Sequence, residues 1–141
     1  MTHIFHLEKT KLRIFNIFLF IILTISNCKA NNISGQGAVL RILNKVTTEK
    51  FYYIMPLSRK LELSNADIVA LKCYKIENEG NSDEIVLIKH IANDSKKSKD
   101  FLGWIFKSSK YLSSPVNSIF DIQLEQCLPT DPIFLKKVRK Y

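Results

Sequence analysis

Asp67-Ile68-Val69-Ala70-Leu71-Lys72-Cys73-Tyr74-Lys75-Ile76 is the stretch whose reading decides the fold. In an extended strand, alternate side chains point to opposite faces. Val69, Leu71 and Cys73 form an apolar set on one parity. Ile68, Ala70, Lys72 and Tyr74 form a mixed set on the other. The segment is therefore predicted as a half-buried strand with Val69, Leu71 and Cys73 facing a core.

Similar runs lie on either side of it. Ala38–Val46, Lys50–Leu57, Lys60–Leu63, Glu84–Ala92, Phe101–Ser108 and Ile119–Leu124 are rich in aliphatic and aromatic residues. Polar stretches divide them: Thr47-Thr48-Glu49, Ser64-Asn65, the loop Glu77–Asp83 and the solvated tip Asn93–Asp100. No ten-residue segment carries a helical apolar stripe, and Tyr111–Ser114 is read as a single helical turn. The pattern predicts a mainly β chain, a small antiparallel β-sandwich or barrel of six or seven strands. In the last run, Phe120, Ile122 and Leu124 should point inward, with Asp121 and Gln123 outward.

Cysteine count adds a tie. Besides Cys28, the chain has Cys73 and Cys127, an even pair suited to a disulfide in an oxidising compartment. Closing that loop would stabilise the fold by about 4 kcal/mol on the chain-entropy account. Two buried, unpaired thiols are the alternative. Cys127 is out of phase with Phe120, Ile122 and Leu124. The strand must therefore bulge or end before Cys127 if it is to meet an inward Cys73.

The N-terminus sets the expected compartment. Lys9, Lys11 and Arg13 precede a short apolar run, Ile14–Ile25, which ends before Cys28-Lys29-Ala30. These are the parts of a secretory signal peptide, and the run is shorter than the ~20 residues a membrane span needs. Cleavage after Ala30 is the expectation. An uncleaved anchor, or a lipoprotein with acylated Cys28, is the alternative. The chain then divides into a signal peptide (1–30), a flexible lead-in (31–37), a β-domain (38–127) and a mobile basic C-terminal tail (128–141).

Net charge is +8, but the leader holds four of the 21 basic and one of the 13 acidic residues, leaving +5. That excess is scattered and mostly Lys, which, with export, argues against nucleic acid as a partner. At about 1 kcal/mol per Lys or Arg, the tail alone would give a weak membrane-surface contact.

Catalytic constellations are sparse. Outside the leader His90 is the only histidine, in mid-strand, where a packed or surface role is the commoner use. The chain has no CxxC pair, no Gly-x-Ser-x-Gly elbow and no glycine-rich phosphate loop. An ordinary zinc site cannot be assembled, and no cofactor is expected. Asp121, flanked by strand hydrophobics, is read as a structural acceptor for backbone N–H groups or a lysine partner. A carboxylate-dependent hydrolase is the alternative. Trp104, beside Gly103, is expected to fill the core along with Leu102 and Phe106; stacking on a partner is its other use.

The C-terminal block also resembles a known family. Gly103-Trp104-Ile105-Phe106-Lys107-Ser108-Ser109, then Leu112-Ser113, Phe120-Asp121-Ile122 and Cys127, is similar to the hallmark of the bacterial domain of unknown function 2155. The likeness runs from about Gly37 to Cys127. Lys110, Asn117-Ser118, Phe120 and Gln123 depart from it, standing where the family usually has Pro, His-Pro, Tyr and Trp. The resemblance implies export in a Gram-negative bacterium, hence a periplasmic location, and no particular reaction. Losing the His and the Tyr hydroxyl suggests that neither is a required catalytic group here. Gly103, Trp104, Ser108, Ser109 and Asp121 remain as candidate framework or binding residues. The reading is a non-enzymatic envelope module that binds an envelope protein or peptidoglycan near Gly103–Leu112. A membrane-anchored lipoprotein is the alternative.

Overall fold

A computed structural model describes residues 15–16, 31–78, 80–93, 99–109 and 112–139, leaving aside the side chains of Asn31 and Asn78. Two units separate at Ala30/Asn31. In the first, the described residues Phe15 and Asn16 are helical. The expected leader otherwise lies outside the described residues, as do Cys28, most of the Asn93–Asp100 tip, Lys110 and Tyr111.

The second unit holds nine described strands: β1 (Asn31–Gly35), β2 (Gly37–Asn44), β3 (Lys50–Pro56), β4 (Lys60–Glu62), β5 (Ala66–Asn78), β6 (Asn81–Ala92), β7 (Phe101–Phe106), β8 (Phe120–Leu128) and β9 (Lys136–Val138). They form two antiparallel sheets. Sheet A has the order β1-β5-β6-β7, with β4 beside β1 on the same edge of β5; sheet B has the order β8-β2-β3-β9. The sheets face one another without closing, so the sandwich is the form adopted. The core is supplied by Ile68, Ala70, Val86, Ile88 and Ile105 from sheet A, and by Leu40, Ile42, Met55, Ile122 and Leu124 from sheet B. Leu112 forms a turn and Ser113 a bend where a helical turn was expected, and Ser114 has no regular structure.

Two bulges fix which residues reach that core. In β5, Ala70 pairs with Ile88 and Lys72 with Leu87, so Leu71 is an extra residue. Before it, Ala66, Ile68 and Ala70 are buried; after it, Cys73 is. The expected inward set of Val69, Leu71 and Cys73 is thus corrected: an inserted residue switches parity between Ala70 and Cys73. In β8, Leu124 pairs with Leu40 and Gln126 with Val39, so Glu125 is the extra residue. This is the interruption that the phase of Cys127 demands.

Cys73 and Cys127 consequently meet across the two sheets, with sulfurs at bonding distance, 2.00 Å, and Cα atoms 5.6 Å apart. Gly35 lies against this bridge, where an added Cβ would stand 3.3 Å from Cys127 Cβ and 3.0 Å from the Leu128 carbonyl oxygen.

Composition misjudged the edges. Asn31–Gly35, read as a flexible lead-in, pairs with Cys73–Glu77. The loop predicted over Glu77–Asp83 is mostly strand, because β5 and β6 run to a two-residue connection with Gly80 at φ 84°. The tail is also tied down: Lys136–Val138 pairs with Tyr52–Ile54. There Lys137 Nζ lies 3.6 Å from the Phe51 ring centroid, and Arg139 pairs with Glu49.

Candidate functional site

Strand β7 carries the residues singled out in the sequence, but with the faces reversed. Ile105 is buried, and Phe101 packs against the core on the same parity. Leu102, Trp104 and Phe106 therefore point to the outer face of sheet A, where Leu102 is 64% exposed. The expectation that Trp104 fills the core is corrected. Its cause is Gly103: the Phe101 ring folds over the inner side of that glycine, where an added Cβ would meet Cζ at 2.6 Å. One ring thus fills two inward positions of the strand, and the indole is left outside.

The register assembles a continuous outer surface around that indole. Phe106 pairs with Ile85 and Ile85 with Tyr74; Trp104 pairs with Leu87 and Leu87 with Lys72; Leu102 pairs with Lys89 and Lys89 with Val69. Neighbours on one face of a sheet are within contact reach along these rows and on the diagonals. The Tyr74 and Trp104 rings meet diagonally, with centroids 6.0 Å apart and planes tilted by 41°. Trp104, Tyr74, Phe106, Ile85 and Leu87 shield one another to intermediate exposure, with the exposed Lys72 and Lys89 beside them.

The two candidate serines lie just past β7. Asp83 Oδ1 accepts the Ser108 N–H at 3.1 Å and the Glu84 N–H at 2.8 Å, while Ser108 Oγ donates to Oδ2 at 2.5 Å. Ser108 therefore closes the β7 exit onto β6 and serves the framework. Ser109 is exposed, and its carbonyl accepts the Leu112 N–H at 3.2 Å.

Asp121 sits on the other sheet. It is half-buried on the outer face of sheet B and accepts from Gln123 Nε2 at 2.8 Å; Gln123 Oε1 in turn accepts from Arg41. Its partner is thus a side chain, where backbone N–H groups or a lysine were expected. The pairing of Leu43 with Asp121 and Arg41 with Gln123 explains this, since it lines these polar groups up beside each other outside the core.

Two further clusters escaped the sequence reading. One is a buried polar knot. Asn117 Oδ1 accepts the N–H groups of Ile119 and Phe120 at 2.9 Å and Asn65 Nδ2 at 3.0 Å. That leaves its amide nitrogen to face His90 Nε2 at 3.0 Å, so the imidazole proton belongs on Nδ1, which has no partner among the described residues. From sequence alone Asn117 was legible only as a departure from the pattern of the family the chain resembles; its burial depends on the β7–β8 connection folding inward.

The second is a cleft of about 340 Å³ beside the disulfide, lined by Ile33, Ser34, Lys75, Glu84, Gln126 and Leu128 among others. Its charges are already matched. Glu84 takes Lys107 Nζ at 2.7 Å on one oxygen and the Cys127 N–H on the other. Lys75 pairs with Glu77 at 2.7 Å, and that hydrogen bond, followed by the charge of Glu77, holds its pKa above the usual lysine value. Among the described residues no three His, Cys, Asp or Glu side chains gather as a metal site would require.

Residues 38–127, more than half of the chain, match the family described as "Uncharacterized protein conserved in bacteria (DUF2155)". The chain belongs to this family. No curated protein and no solved structure matches it. The DUF2155 segment runs from the second residue of β2 to the bridging Cys127, so it contains both bulges, the disulfide and the outer face centred on Trp104.

Proposed function

We propose that this DUF2155 protein is a non-enzymatic binding module of the bacterial envelope, exported and oxidised, which holds a protein partner on the outer face of sheet A. One observation carries the reading. The only tryptophan of the chain stands outside the core, within a contiguous patch of Tyr74, Ile85, Leu87, Leu102 and Phe106. An apolar centre with aromatic anchors and a charged rim is the anatomy of a protein interface, and Trp and Tyr dominate its energetic centres. Lys72 and Lys89 beside the patch favour a partner with an acidic rim. Export is supported by the leader-like N-terminus and the Cys73–Cys127 pair, since such bridges persist in oxidising compartments.

The test is a photo-crosslinking residue placed at Leu102 in the native host, with the same residue at Lys50 on sheet B as control. One discrete protein adduct from position 102, absent from position 50 and lost with Trp104→Ala, is the expected result. Equal adducts from both positions, or none, would defeat the reading. Trp104-dependent co-sedimentation with sacculi, without a protein adduct, would move the partner to peptidoglycan.

A further inference from the structure

Between β8 and β9 the chain makes a tight turn. The Phe134 N–H bonds to the Pro132 carbonyl at 2.6 Å, which places Ile133 at the centre of a γ-turn with φ 63°. A β-branched residue avoids that region, and the γ-turn of this hand is the rarer, strained one. Asp131 Oδ1 accepts the Ile133 N–H at 2.8 Å and helps to hold it. Such an outlier persists only where its surroundings over-determine it, and it argues toward function.

The turn sits between two anchors. On one side Pro132 rests on Gly37, whose added Cβ would lie 2.6 Å from Pro132 Cδ. On the other side Lys136 starts β9 against Ile54. The three residues between cannot return to the core: Ile133 is 63% exposed, Phe134 74% and Leu135 37%. Three consecutive large apolar side chains held in solvent differ from the scattered single ones that any surface shows. A cation accompanies them: Lys136 follows directly and is exposed.

An apolar tip beside a basic residue is complementary to the boundary between acyl chains and anionic headgroups. We propose that Ile133, Phe134 and Leu135 insert into the surface of an anionic phospholipid membrane, with Lys136 on the headgroups. The weakness of a purely basic tail is thereby met, because two kinds of attraction act at one point. This inference does not depend on the partner proposed for sheet A.

The apolar leader run would itself bind vesicles, so the test must report position. In the full chain, Phe134→Trp adds a second indole, and the natural chain with Trp104 alone is the control. Vesicles of phosphatidylethanolamine and phosphatidylglycerol with brominated acyl chains should quench and blue-shift the added indole but leave Trp104 unchanged. Lys136→Glu in the same background reverses one charge and should weaken that binding about thirtyfold, at about fivefold per unit charge. Vesicle binding without quenching at position 134, or equal quenching on phosphatidylcholine, overturns the proposal. No quenching on any vesicle overturns it too, and leaves the tip to a protein contact.

Discussion

Asn117 shows how much one residue outside any strand can carry. Its side chain satisfies two backbone N–H groups, Asn65 and His90, with Asn117 and His90 themselves buried. Asn117→Ala should strand those groups and cost about 3 kcal/mol, read as a fall in the urea midpoint. His90→Met removes a ring that is only half satisfied, and should change stability by no more than about 1 kcal/mol. At Gly103 the issue is space. Gly103→Ala must push the Phe101 ring off the glycine, and should lose about 1 kcal/mol because a ring edge can rotate away. Little of this was legible in advance. An Asn in a loop reads as a turn former, and a Gly before Trp says nothing about a neighbouring ring two residues back.

At the scale of the strands, period and phase separate what the sequence could tell from what it could not. Every run of β-type residues is a strand, because alternation and apolar content are local properties. Facing is not local where a bulge intervenes. The parity of β5 fails at Leu71, and that of β7 is decided by which ring covers Gly103. Only Cys127 betrayed its bulge beforehand, since a disulfide imposes a position that alternation could not supply. Deleting Glu125 should therefore return β8 to a single phase and turn residue 127 away from Cys73. The expected outcome is two more titratable thiols in the deletion variant than in the parent, or loss of the folded protein. A bridge that still forms would show that β8 can slip and re-pair.

For the molecule as a whole, the Cys73–Cys127 pair joins sheet to sheet, with 54 residues of separation between the two positions. Reduction should lower unfolding free energy by about 4 kcal/mol, measured by denaturant titration with and without reductant. Net stabilities of small domains are about 5–15 kcal/mol, so the reduced protein would be marginal. Strands β1 and β9 have a different significance. Both fall outside residues 38–127, and each covers a row of main-chain donors and acceptors on a strand within that range, β1 on β5 and β9 on β3. A fragment trimmed to 38–127 would bare two pairing templates and uncover Phe51, which Lys137 and Arg139 now overlie. Such a fragment should run as dimers and larger species on size exclusion while the intact chain stays in one peak. The flanks that the family description omits would then be what keeps neighbouring copies apart.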